Sequence, residues 1–248
     1  KQTGYDGIEI APFTCAKYVT DVSKQRRSEI KDLAARHQLE ISGIHWVLVE
    51  AEGMHMTHPD ASIRAKTQQY FRDLVQFCQD LGGKSIVVGS PHQRNLESGV
   101  TLEQATEWAT EVFRPAIQDG EDKGVTICFE PLAPSETNFM NTAEEAIQFI
   151  RRIPSPAFKI ILDVKAMCSM GKPIADIIRE SWPAFAYFHA NDANLKGPGF
   201  GDVDFVPIAS ALKEVGYQGY VSVEVFKFEE GPEVIAQQSL EYLKKTFA

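Results

Sequence analysis

The stretch KIILDVKAMCSMGKPIADIIRESWPAFAYFH, residues 159–189, holds the pattern that decides the fold. It opens on a short apolar run at 159–163, passes Gly171 and Pro173 into an amphipathic segment over 173–180, and closes on a second apolar run at 185–189. The two runs are too short for helices and suit strands buried on both faces, whereas the segment between them has helical spacing. Strand, helix, strand is the unit of a parallel sheet, because parallel neighbours need a long crossover. Both runs end on a side chain that can bind a cation, Asp163 and His189.

The same alternation runs through the rest of the chain. Strands are expected over 7–10, 41–48, 85–89, 125–130, 159–163, 185–189 and 220–225, and helices over 23–36, 63–81, 101–123, 142–152, 173–180, 208–215 and 232–247. Thr101 with Gln104, and Thr142 with Glu145, have the spacing of capping boxes. Gly82, Gly83, Gly124 and Gly216 stand where helices should stop. No linker or low-complexity stretch divides the chain, so residues 1–248 read as one domain. An open sheet and a barrel both fit seven strands; a first strand and helix before Lys1 would complete eight units. The expected α/β architecture is therefore a (β/α)8 barrel.

Composition narrows the function. The chain carries 34 acidic and 25 basic residues, a formal charge of -9, and its basic residues are scattered apart from short pairs such as Arg26-Arg27 and Lys244-Lys245. No electrostatic footprint for nucleic acid or an anionic membrane is visible. No apolar run approaches the ~18 residues of a membrane span, and no signal peptide is visible, so a cytoplasmic protein is expected. Cys15, Cys78, Cys128 and Cys168 lie far apart without a CxxC pair and read as reduced thiols. The glycines of GPGFGD, 197–202, neither follow a strand directly nor open a helix, and so form a turn and not a phosphate cradle.

The chemistry collects at the strand ends. VTICFE ends on Glu130, KIILD on Asp163 and FAYFH on His189, and YVSVEV carries Glu224 near its end. In a parallel barrel these ends converge on one face. Singly, each side chain could cap a helix or pair with a neighbour. Together, three buried carboxylates and an imidazole need a cation to offset the cost of burying charge. Three oxygen donors and one nitrogen favour Mn²⁺, Mg²⁺ or Co²⁺, with Zn²⁺ also admissible.

These residues carry a resemblance. From GYDGIEI (4–10) through LGGKSIVVGSP (81–91), FEPLAPSETNFMNT (129–142) and FHAND (188–192) to GYQGYVSVEVF (216–226), the chain resembles the xylose isomerase-like TIM barrel superfamily. Within it the likeness is to the sugar phosphate isomerase/epimerase branch, with its ketose 3-epimerases and inosose-processing enzymes. The resemblance implies a divalent-metal-dependent sugar or cyclitol isomerase/epimerase. Its metal ligands would be Glu130, Asp163, His189 and Glu224. Glu130 and Glu224 would also be the catalytic acid/base pair, on opposite faces of a metal-bound cis-enediolate. The logic is physical as well: a proton beside a carbonyl leaves only if the developing oxyanion is stabilised, and two carboxylates on opposite sides permit inversion.

Glu136, six residues after the first ligand, and Phe226, two after the last, fall on substrate-contact positions of the epimerases. Ala166 and Leu195 stand where those enzymes have a substrate-binding histidine and arginine. The grip on substrate therefore differs, and replacement contacts are sought in Asn191, Lys165, Lys196 and the loop GSPHQRN (89–95), with His92 and Arg94. Glu9, near the end of the first strand, is a further pocket candidate. His45 either satisfies a core hydrogen bond or lines the barrel mouth, and His37 reads as solvated. No organic cofactor is implied. The partner is a small sugar, keto-sugar or cyclitol, and a homo-oligomer is compatible with the relatives' habit. The same metal site would serve an inosose dehydratase-like lyase; an endonuclease IV-like repair enzyme, which needs a histidine where Ala166 stands, and a non-catalytic metal-binding protein are the remaining readings.

Overall fold

In the computed structural model, which describes residues 3–248, the apolar runs form seven parallel strands. These are β1 (Gly7–Ile10), β2 (Glu40–Ile44), β3 (Ser85–Val88), β4 (Thr126–Phe129), β5 (Phe158–Asp163), β6 (Phe185–Ala190) and β7 (Val221–Val223), paired in chain order. The helices are α1 (Lys24–Arg36), α2 (Ala61–Leu81), α3 (Leu102–Lys123), α4 (Ala143–Ile150), α5 (Val164–Met167), α6 (Ile174–Ser181), α7 (Val206–Glu214) and α8 (Pro232–Phe247). The sheet curls until the Ser222 hydroxyl on β7 donates to the Glu9 carboxylate on β1, a nearly closed TIM barrel. The strand and helix expected before Lys1 lie outside the described residues.

Local chemistry sets the element ends as expected. Thr101 and Thr142 each accept from the backbone three residues on, and Gln104 and Glu145 reach back to complete both capping boxes. α2 and α3 stop at Gly82 and Gly124, which hold left-handed φ values of 84° and 66°. The strand expected over 41–48 ends instead at Ile44, because Trp46 turns the chain with φ 53°. Val47 and Leu48 remain buried in the loop beyond, so their apolar character reports burial and not pairing. The four-residue α5 was not expected. It is capped by Asp163, whose side chain accepts from the Ala166 amide.

Two layers of core support the site. Between sheet and helices, Phe113 of α3 packs against Phe71, Phe129, Phe149 and Phe158 at centroid distances of 4.7 to 6.0 Å. Phe113→Ala is expected to cost about 3–5 kcal/mol, read as a lower urea midpoint at unchanged slope. Inside the barrel, Val87, Cys128, Ile161 and Tyr187 form a buried floor, with the Tyr187 hydroxyl 2.7 Å from that of Ser42. All four cysteines are free. No described helix is long and apolar enough to cross a membrane.

Candidate active site

Register places the functional side chains above this floor. Asp163 and His189 are direct partners across β5 and β6. Glu224, just past β7, donates its amide to the Ala190 carbonyl at 3.2 Å, and Glu130, just past β4, donates to that of Val88 at 3.1 Å. Donor atoms of Asp163, His189 and Glu224 lie within 4.8 Å of one another, and all three residues are buried. Glu130 is buried as well, and its charge couples to those of Asp163, Glu224 and His189. Gly89 makes room for it: an added Cβ would sit 2.5 Å from Glu130 Oε2. Gly89→Ala is expected to leave the fold intact and to weaken Mn²⁺ binding about 10- to 100-fold, seen by titrating Mn²⁺ alongside thermal unfolding.

His189 is held at both ring nitrogens. Nδ1 faces Glu224 Oε2 at 3.1 Å and Nε2 faces Glu9 Oε2 at 3.0 Å. Glu9, a pocket candidate from sequence, packs against the histidine, and with His45 and His189 it forms a second group whose donor atoms lie within 4.8 Å of one another. With Glu9 at Nε2, Nδ1 is turned toward Glu224, and a carboxylate on the second ring nitrogen is usual for a metal-binding imidazole. Asn191, expected to touch substrate, bonds Asp163 and the start of α5. Its amide donates to Asp163 Oδ2 at 2.5 Å, and its carbonyl accepts from the Lys165 backbone at 2.8 Å.

Burial and mutual repulsion pull the two glutamates apart. Burial, with the charges of Asp163 and Glu224 adding to it, pushes Glu130 up to about 8. Burial and Glu224 likewise raise Asp163 to about 6. Glu224 lies well below the usual carboxylate range: burial opposes this, but the charge and hydrogen bond of His189 and the nearby His45 outweigh it. His189 is raised well above an ordinary histidine, with Glu9 and Glu224 overcoming burial. Two metal–donor bonds of about 2.4 Å span the donor separations of Asp163, His189 and Glu224, so these three residues fit a divalent cation.

Sequence reading missed Trp46. Its indole Nε1 donates to Glu224 Oε1 at 2.8 Å, and its ring stacks between Phe13 at 5.9 Å and Phe226 at 5.8 Å. The available signal was an aromatic directly after a strand end. His45 lies beside it, 3.4 Å from the same carboxylate oxygen, so it lines the mouth. Phe226 and Glu136 reach the rim together with Lys165, whose ammonium sits 2.9 Å from Glu136 and 4.4 Å from the Phe226 centroid.

Arg94, sought as a substrate contact, lies in the interior, with Nε and Nη1 lacking a hydrogen-bond partner among the described residues. Its side chain is fully buried; Nη2 donates to the Glu130 carbonyl at 2.7 Å and the guanidinium lies 4.7 Å over the Phe129 ring, where burial lowers it to about 10. Flat stacking on an aromatic and a backbone acceptor together turn it inward and away from solvent. His92, on the same turn, is exposed, and no hydrogen bond of the site reaches it. Lys196 is tied to Glu230 instead.

The family model described as Xylose isomerase-like TIM barrel matches residues 1–246. The chain is 26% identical over 225 residues to a D-psicose 3-epimerase of Ruminiclostridium cellulolyticum, covering 90% of this chain and 74% of that one. It is 23% identical over 249 residues to a fructoselysine 3-epimerase of Escherichia coli O157:H7, covering 97% and 88%. The crystal structure of a D-psicose 3-epimerase with D-tagatose from Clostridium cellulolyticum H10 superposes with a TM-score of 0.87 at 22% identity, covering 99% of this chain and 90% of that one.

Proposed function

The chain belongs to the xylose isomerase-like TIM barrel family, and from that premise we propose that it is a divalent-metal-dependent sugar epimerase that inverts a carbon next to a ketone. The observation that carries this reading is the pair Glu130 and Glu224. They enter one buried place from β4 and β7, on either side of Asp163 and His189. They would flank a ligand bound between them, either serving as base while the other, once protonated, serves as acid. Inversion requires an acid and a base in this relation, because a proton removed from one face must be returned to the other.

Glu224, held by Trp46 and His189, would take the proton from the carbon beside the ketone. Glu130 would return one to the opposite face of the cis-enediolate, and the reverse reaction would exchange the roles. A divalent cation held by Glu130, Asp163, His189 and Glu224 would supply Lewis acidity toward the charge that develops on oxygen; the oxygen-rich donor set favours Mn²⁺, Mg²⁺ or Co²⁺. Phe13, Trp46 and Phe226 wall the site with aromatic rings and limit water. The relatives named for psicose and fructoselysine support a ketose as the substrate class.

The test is metal analysis of the purified protein, followed by incubation with a panel of ketoses and inososes and separation of the products. Bound metal and a 3-epimer are expected. Loss of water in place of epimer formation would make the protein a lyase on the same site. Metal-loaded protein that transforms no member of the panel would refute the reading.

A further inference from the structure

Beside the carboxylates lies a cavity of about 490 Å³, within the range of small-molecule sites. It is lined by Ala133, Ser135, Glu136, Lys165, Leu195 and Phe226, among others. Its charged groups are one ion pair, beside Ser135 and Ser169. The Lys165 side chain is only 10% exposed, and its ammonium bonds Glu136 at 2.9 Å while resting on Phe226. Ala166 and Leu195, where the epimerases carry substrate-binding cations or imidazoles, offer no polar group at all. Lys165 is therefore the cation that the cavity presents to a ligand.

We infer that Lys165, held by Glu136 and Phe226, is the specificity residue of this site and that the pair reads neighbouring hydroxyls of a neutral keto-sugar, discriminating against phosphorylated or acidic sugars. The inference rests on the epimerase reading. An ammonium and a carboxylate in contact present one donor and one acceptor side by side, which is what two adjacent hydroxyls require. Charge points the same way. Four carboxylates, Glu130, Asp163, Glu224 and Glu136, face one ammonium and one divalent cation, leaving a negative balance that Arg94, buried behind Glu130, at best cancels. A phosphate or carboxylate on the substrate would meet Glu136, with the Lys165 ammonium already bonded to it.

The experiment measures kcat and KM on Mn²⁺-loaded protein for ketohexoses and ketopentoses and for their terminal phosphates, in wild type, Lys165→Met and Glu136→Gln. Wild type is expected to favour the neutral sugar by at least about tenfold. Lys165→Met keeps the stem over Phe226 but loses the charged donor, so at saturating Mn²⁺ its KM for the neutral sugar should rise about 10- to 100-fold. Glu136→Gln frees the ammonium and should narrow or reverse the preference against the phosphates. A wild-type preference for a phosphate, or an unchanged KM in Lys165→Met, would overturn the assignment while leaving the epimerase reading intact. Wild-type protein that binds Mn²⁺ and epimerises none of these sugars would remove both.

Discussion

Glu224→Gln is expected to lower epimerisation by about 10²- to 10⁴-fold, the usual worth of a positioned acid–base group, and Glu130→Gln by a similar factor. The carboxamide keeps an oxygen for Trp46 Nε1, which bonds Glu224 at 2.8 Å in the wild type, so loss of packing does not account for the effect. The two variants should differ in a way that a general loss of structure would not produce. Each retains the glutamate on one face. That glutamate can still remove and return a proton from its own side, so each variant should exchange solvent deuterium into one epimer without inverting it. The epimer exchanged in Glu224→Gln should be the one left untouched in Glu130→Gln. Proton NMR in deuterium oxide reads this directly, and exchange into the same epimer by both variants would contradict the two-face arrangement.

The second large effect is on metal binding as a function of pH. In the metal-free protein Glu130 is raised to about 8, Asp163 to about 6 and His189 well above its ordinary value. Each of these groups must lose its proton to bind a cation. Below about pH 8 the cation therefore competes with a proton on Glu130, and below about pH 6 with one on Asp163 as well, while His189 holds its proton to higher pH than an ordinary histidine. Affinity for Mn²⁺ should fall as pH falls, by about tenfold per unit for each proton displaced. Calorimetry at pH 6 and 8 in buffers of different ionisation enthalpy should show net proton release. Equal affinity at both pH values without proton release would mean that the three groups are already unprotonated.

Much of this architecture could be read from residues 159–189 and their echoes along the chain, because a parallel barrel writes itself as short buried runs separated by amphipathic helices. The run at 41–48 overshot, since Val47 and Leu48 are buried without being paired. At the site, Asp163, His189 and Glu224 could be grouped because strand ends converge by topology alone. Glu9 and Asn191 were noticed, yet their work behind His189 and Asp163 depends on which way each side chain turns, and periodicity does not report that. Arg94 could not be placed for the same reason: a loop's course decides whether an arginine meets solvent or lies on Phe129. Trp46 escaped because its left-handed backbone, φ 53°, carries its ring back over the barrel mouth.

The most direct measurement is the fate of the substrate hydrogen in wild-type turnover. The Mn²⁺-loaded protein is incubated in deuterium oxide with a ketose that it epimerises, and the product is examined by NMR at the inverted carbon. If Glu130 and Glu224 exchange protons on opposite faces, the product should carry solvent deuterium at that carbon from the first turnovers. Product that retains its original hydrogen there would contradict proton transfer by the two glutamates.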